Sequence, residues 1–275
     1  MPFPYKTVLV TGATSGIGEA LAERMIASGI FVIAVGRRQD RLDALVAKHG
    51  ADKVAGEAFD VSDLDAISDW AKRITTKYPK LDSIVLNAGF QRTLDFTNPS
   101  SISLPTVNSE LTTNYLSPLH TVAHFLPHLT SLGLDTPASV VFVSSLLSIV
   151  PLPRCANYCA SKAAIHSLAW SLRSQLAGPA SPSTHHIRVL EIMPPAVQTE
   201  LHPQQADLAS QGMASFGMPL DEYADETWAA MTNSTEEQDE IVPDAHKTRI
   251  AGLEDKRKEG FNGFVAAMRK QGAKF

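Results

Sequence analysis

A chain of 275 residues, 44% hydrophobic and 19% charged, has the make-up of a soluble globular protein, with room for one large α/β domain or two small ones. A formal net charge of −5, with Lys and Arg scattered apart from Lys256-Arg257-Lys258, offers no global field to nucleic acid or an acidic membrane surface. No apolar run nears the ~18 residues of a membrane span, and Met1 to Lys6 is too short and polar for a secretory leader, so a cytoplasmic protein is expected.

Short β-rich apolar runs alternate with longer helical stretches. Thr7 to Val10 reads as a strand, followed by a glycine-rich turn and a helix from Ile17 to Ser28 that Gly29 ends. Phe31 to Val35 is a second strand, and Asp40 to His49 a helix. Ala55 to Phe59 is a third strand; Leu64 to Lys77 is a helix closed by Pro79. Ser83 to Leu86, a long helical region from Val107 to Leu132, and Val140 to Ser144 come next. Tyr158 to Leu176 is a helix and Arg188 to Ile192 a sixth strand. This alternation predicts βαβ units: a doubly wound parallel sheet with helices on both faces, an α/β domain in three layers. The whole chain, 1–275, reads as one domain. Residues 195–225 are expected to form a substrate loop with short helices, and 226–275 a C-terminal extension. Asp225 to Glu240 reads as an exposed acidic segment, Glu240 to Val242 as a last strand and Phe264 to Lys270 as a terminal helix.

Two local patterns carry chemistry. Thr11-Gly12-Ala13-Thr14-Ser15-Gly16-Ile17-Gly18 follows the first strand and opens a helix. A glycine-rich turn so placed lets backbone approach a pyrophosphate, with the helix N-terminus aiming N–H groups at it. Tyr158 and Lys162 stand four positions apart, on one helix face. A free phenol titrates near ~10, and a nearby cation favours the phenolate. Lowering it to about 7 takes roughly 4 kcal/mol at ~1.36 kcal/mol per unit, and would make a tuned acid/base.

These patterns, with Asn87-Ala88-Gly89 after the fourth strand, Asn114 in the long helix and Ser145 thirteen residues before Tyr158, resemble the short-chain dehydrogenase/reductase family. The resemblance is to its single-domain members of Rossmann type and covers residues 7 to about 200. It implies an NADP(H)-dependent oxidoreductase that interconverts a ketone or aldehyde with an alcohol. In that resemblance Tyr158 exchanges the proton, and Lys162 lowers its pKa and bonds the nicotinamide ribose. Ser145 holds the substrate oxygen, and Asn114 kinks its helix and holds a water. Cofactor contacts are expected from Gly12, Thr14, Ser15, Gly16, Ile17, Gly18, Asp60, Val61, Asn87, Ala88, Gly89, Tyr158, Lys162, Val197 and Thr199.

The second strand ends Val35-Gly36-Arg37-Arg38, without the acid that would bond a ribose 2′-hydroxyl. Similarity to NADP-dependent members points to Arg37 as first contact of a 2′-phosphate, with Arg38 and Ser15 assisting. One departure is Pro194-Pro195, where the family usually has Pro-Gly; it fixes φ and removes an N–H beside the nicotinamide pocket. The resemblance also implies a homodimer or homotetramer. Leu146, Leu147, Leu152 and Phe90 suggest a hydrophobic carbonyl or alcohol substrate, while Met213, Phe216 and Met218 either line a lid or pack on the core.

Other signals are weaker. His120, His124 and His128 recur at helical spacing, yet Pro118 and Pro127 interrupt and no carboxylate completes a set, so no metal is expected. Cys155 and Cys159, too few for a disulfide framework, flank Tyr158 and read as helix packing or as oxidant-sensitive thiols. The alternatives of a dinucleotide sensor without catalysis, or a non-redox epimerase or dehydratase, keep the fold and differ in the chemistry.

Overall fold

The computed structural model describes residues 3–179, 181–201, 212, 216–233 and 238–273. Seven parallel strands form its sheet, in the order β3-β2-β1-β4-β5-β6-β7. They are β1 (Thr7–Thr11), β2 (Phe31–Gly36), β3 (Val54–Ala58), β4 (Ser83–Leu86), β5 (Ala138–Val143), β6 (Ile187–Ile192) and β7 (Glu240–Ile241). Every residue of β4 and β5 is buried, as expected of parallel strands covered on both faces. Side chains alternate between faces with period two. Val8 and Val10 therefore join the core on one side of the sheet, and Leu9 the core on the other. The strand order reverses between β1 and β4, and ligands of open α/β sheets bind at such a switch point.

The helices are α1 (Gly16–Ala27), α2 (Gln39–His49), α3 (Ile67–Lys77), α4 (Leu104–Leu111), α5 (Ser117–Ser131), α6 (Ala156–Leu176), α7 (Leu220–Asn233), α8 (Asp244–Ile250) and α9 (Asp255–Lys270). Trp70 of α3, fully buried, stacks on Phe59 at 4.3 Å and meets Phe125 of α5 edge-on at 5.2 Å. Burying one such ring is worth roughly 1.5–3 kcal/mol. The long helix expected over 107–132 spans 104–131, with a π-turn over Thr112–Leu116 between α4 and α5. At the foot of the sheet the Asp82 carboxylate accepts from the Lys6 and Thr7 amides, at 2.8 and 3.1 Å, and fastens the start of β1 beside β4.

Two expectations fail in the C-terminal third. Residues 220–233 form α7 rather than loop or exposed acid run. Tyr223, Ala224, Thr227 and Met231 are buried, while Asp221 and Asp225 bind Arg24 of α1 from the outside, at 3.1 and 3.0 Å. Acids on the outer face masked the apolar inner one. The terminal helix, expected over 264–270, begins nine residues earlier, at Asp255. Its first turn is held by charge, not by apolar burial. His166 of α6 lies between Glu191 at 2.8 Å and Glu254 at 2.9 Å, Arg257 pairs with Glu254, and Lys258 pairs with Glu240. Burial would discharge the imidazole, but the Glu191 hydrogen bond and the surrounding carboxylates hold its pKa above the ordinary value. Arg257 also lies 4.9 Å over the Trp170 ring, which gives the basic cluster at 256–258 a structural use. Among the described residues, no helix is long and apolar enough to cross a membrane.

Candidate active site

At the C-terminal ends of β1, β4 and β5 lies a cleft of about 1670 Å³. One end is built on the glycine turn. Gly12 and Gly16 have φ of +69° and +58°, conformations that L side chains rarely adopt. A Cβ on Gly12 would meet the Asn87 amide at 2.8 Å, and one on Gly18 would run into Gly12 O and the same amide. Thr11 Oγ1 accepts from the Asn87 and Ala88 amides, at 3.0 and 3.1 Å, while Asn87 Nδ2 donates to Thr11 O at 3.1 Å. The turn after β1 and the loop after β4 are thereby bolted together. Ser15 stands at the N-cap of α1 without capping it; its Oγ accepts from Arg38 Nη2 at 2.7 Å. The first-turn N–H groups of α1 thus open onto the cleft as donors, the arrangement that suits a pyrophosphate.

Arg38 is the most engaged cation of the turn. Its Nε and Nη2 bond Thr14 Oγ1 at 3.2 and 3.0 Å, and Nη2 also bonds Thr14 O at 3.1 Å. Arg37, three-quarters exposed, stands 3.7 Å from Asp60 at the cleft mouth. Asp60 is exposed; although what burial it has opposes ionisation, bonds from Ser62 and the charge of Arg37 hold its carboxyl below the usual range. Val61 is buried beside it. The residue expected to assist is therefore the one held against the turn, and the expected first contact stands outside it. A Cβ at Gly36 would meet Thr14 Cγ2 at 2.6 Å, so an acidic side chain has no room there while Thr14 keeps this place.

The other end of the cleft gathers Ser145, Tyr158 and Lys162. Asn114, in the π-turn, donates to Phe90 O at 2.9 Å and to Ser161 Oγ at 3.1 Å, and accepts from Phe90 N at 3.0 Å. It fixes the loop in which Gly89 sits, and a Cβ on Gly89 would stand 3.0 Å from Asn114 Oδ1 and 3.6 Å from Lys162 Nζ. Ser144 turns inward to Glu191, which leaves Ser145 as the hydroxyl beside the phenol. Lys162 Nζ lies 5.6 Å over the Tyr158 ring and donates to Val143 O at 2.8 Å.

The spacing correctly put both side chains on one face, but the expected lowering of the phenol does not follow. Burial pushes Tyr158 up; the Ser145 hydroxyl opposes this only in part. Lys162 is buried, and desolvation lowers it to about 8 in spite of Glu191 and Glu110. Cys155 and Cys159 are buried with sulfurs 3.9 Å apart, and burial pushes the Cys155 thiol up to about 12, away from the thiolate that oxidants attack.

Val197 and Thr199 line the cleft, with Pro194 and Pro195. The chain after Pro195 is held by pairing with Met218, whose N donates to Ala196 O at 2.9 Å and whose O accepts from Gln198 N at 2.9 Å. Met218 thus both lines the cleft and packs on the core, and Phe216 lines the cleft half-exposed; Met213 lies outside the described residues. Leu146, Leu147, Leu152 and Phe90 are on the wall, as are His246 and Arg249 of α8, which the sequence did not signal. Among the helix-spaced histidines, His128 Nε2 stands 2.9 Å from Leu81 O. Sequence reading also passed over Arg41 and Glu200, which pair at 2.6 Å beside the turn, with Arg41 donating to Thr14 O. Arg41 was reachable, since it lies three positions after Arg38, on the same helical face.

Residues 6–208 match the family model described as short chain dehydrogenase. An uncharacterized oxidoreductase, DltE of Bacillus subtilis (strain 168), is 32% identical over 274 residues, covering 98% of this chain and 99% of that one. A short-chain dehydrogenase from Sphingobium yanoikuyae in complex with NADPH superposes with a TM-score of 0.75 at 24% identity, over 94% of this chain and 95% of that one. A short chain dehydrogenase/reductase from Burkholderia phymatum in complex with NAD gives 0.76 at 21%, with the same coverage. A family match over most of the length, on a seven-stranded parallel sheet, has one reading: the chain belongs to the short-chain dehydrogenase family of oxidoreductases.

Proposed function

We propose that the protein is an NADP(H)-dependent oxidoreductase that interconverts a hydrophobic ketone or aldehyde with its alcohol. The observation that carries this is one cleft with a glycine cradle and Arg38 at one end, and Ser145, Tyr158 and Lys162 at the other. The crowding at Gly12 and Gly18 fits a dinucleotide backbone pressed against bare main chain. The pyrophosphate would be held by the α1 N-terminus, the adenosine by Asp60 and Val61, and the nicotinamide end by Asn87–Gly89, Lys162, Val197 and Thr199.

The dihydronicotinamide, when bound, would supply the hydride to the carbonyl carbon. Tyr158 Oη gives its proton to the carbonyl oxygen as charge develops there, and takes it back in alcohol oxidation. The Ser145 hydroxyl donates a hydrogen bond to the same oxygen. Lys162, which faces the phenol ring, would donate to the ribose. Asn114 keeps the Phe90 loop, and with it the cleft wall, in place. Carbonyl reduction requires the protonated phenol, the form that burial favours.

Related folds carry either dinucleotide, so the cofactor choice rests on this chain's own residues. Gly36 leaves no acid for a 2′-hydroxyl, and Arg38 presents a guanidinium beside Ser15. Arg38→Gln is expected to weaken NADP⁺ binding about tenfold or more and NAD⁺ binding less than twofold, a loss of one charge-assisted phosphate contact. Titration calorimetry with the two dinucleotides measures this; equal losses for both would remove the phosphate role. Consumption of NADPH against a panel of apolar ketones and aldehydes tests the reaction itself. Absence of turnover with intact binding would favour a dinucleotide sensor, and product without net oxidation a non-redox enzyme.

A further inference from the structure

The basic end of the cleft already holds an anion. Glu200 follows directly on Thr199, whose Cβ lies 3.2 Å from the place a Cβ on Gly16 would take, so the chain here crosses over the glycine turn. The Glu200 carboxylate is shared between two guanidiniums, accepting from Arg38 Nη1 at 3.0 Å through one oxygen and from Arg41 Nη1 at 2.6 Å through the other. Arg41 Nη1 also donates to Thr14 O at 3.1 Å, and Arg38 Nη2 to Ser15 Oγ at 2.7 Å. Two guanidiniums on one anion, one of them bonded to a serine hydroxyl, make a donor set that a phosphate monoester seeks. None of these side chains is deeply buried, so the pairs can exchange partners with a ligand from solvent.

We infer that Glu200 is an internal competitor for the 2′-phosphate of the cofactor, and that Arg41 is a second phosphate ligand which Glu200 occupies until NADP(H) arrives. This rests on the reading of Arg38 as a 2′-phosphate ligand. Charge decides the exchange. With Glu200 in place, a phosphate dianion meets two cations and one anion; with Glu200 displaced, it meets two cations alone. NAD(H) brings no such anion and leaves the clamp closed. A clamp that is closed about nine times in ten lowers the apparent affinity for the phosphate-bearing form about tenfold. Glu200 would thus set how strongly this chain prefers one dinucleotide over the other, from a position 164 residues after Gly36.

Glu200→Gln keeps the shape and removes the charge, and the site is exposed enough that folding is undisturbed. The measurements are dissociation constants by titration calorimetry for NADP⁺, NAD⁺ and adenosine 2′,5′-bisphosphate, which carries the phosphate without the nicotinamide. Glu200→Gln is expected to bind NADP⁺ and the bisphosphate about tenfold more tightly, with NAD⁺ within twofold. Adding Arg41→Gln to that variant should return both affinities towards the starting values. Unchanged NADP⁺ affinity in Glu200→Gln, alongside a tenfold loss in Arg38→Gln, overturns the competitor and leaves the NADP(H) reading standing. Weaker NAD⁺ binding in Glu200→Gln also overturns it, by making Glu200 an acceptor for the ribose hydroxyl. If Arg38→Gln binds NADP⁺ as the unaltered protein does, the cofactor reading falls, and the competitor with it.

Discussion

Tyr158→Phe is expected to lower the rate of carbonyl reduction by about 10³- to 10⁴-fold, the upper part of the range for losing a positioned general acid. The substitution removes one oxygen and nothing else. The ring keeps its place on the cleft wall, 5.6 Å from Lys162 Nζ, and the ammonium keeps its bond to Val143 O. Dinucleotide affinity should therefore stay within about twofold, because the glycine turn, Asn87 and Arg38 are all distant from the phenol oxygen. Steady-state rates with NADPH, paired with calorimetric binding, separate the two quantities. A variant that turns over within tenfold of the unaltered enzyme would move the proton source to another group, with Ser145 the next to test.

Lys162→Met should abolish turnover and stabilise the fold at neutral pH. Lys162 is 4% exposed, and burial lowers its ammonium to about 8 from the ordinary 10.5. At ~1.36 kcal/mol per unit, keeping it charged inside the protein costs about 3 kcal/mol below pH 8. Losing the bond to Val143 O offsets roughly 1 kcal/mol of that. The net gain of ~2 kcal/mol corresponds to about 5 °C in melting temperature for a chain of this size. The pH dependence has a fixed sign. Between about 8 and 10.5 the unfolded chain holds a proton that the folded one has released, so the unaltered protein gains stability as pH rises. The advantage of Lys162→Met is full at pH 7 and gone by about pH 10.5. Thermal melts of the two proteins across that window measure it, and a variant less stable than the parent at pH 7 would refute the account.

What the sequence made legible was local or repetitive. The glycine turn is contiguous, its glycines are required by backbone angle and crowding, and it is legible for that reason. Parallel strands buried on both faces show as short apolar runs. Tyr158 and Lys162 show as a helical pair, though not where the ammonium would reach; Val143 O, nineteen residues upstream, decides that. The missed features are held by contacts distant in the chain. The outer acids of α7 answer to Arg24, about two hundred residues before them. The start of α9 answers to His166, and Glu200 to Arg38 and Arg41. No window of sequence contains both partners of any of these pairs.

The π-turn at Thr112–Leu116 has a consequence for how the long helix tolerates change. Each residue of a helix advances the side chains by about 100°, so the extra residue sets the azimuth of α5 relative to α4. Asn114 meets Phe90 and Ser161 in one phase, and Phe125 and Leu129 enter the core in the other. Removing any one of Thr112, Thr113, Tyr115 or Leu116 would leave every one of those side chains in the chain and swing one set about a quarter-turn away from its partners. In this stretch the constrained quantity is a residue count, which makes the segment forgiving of many substitutions and intolerant of a one-codon deletion.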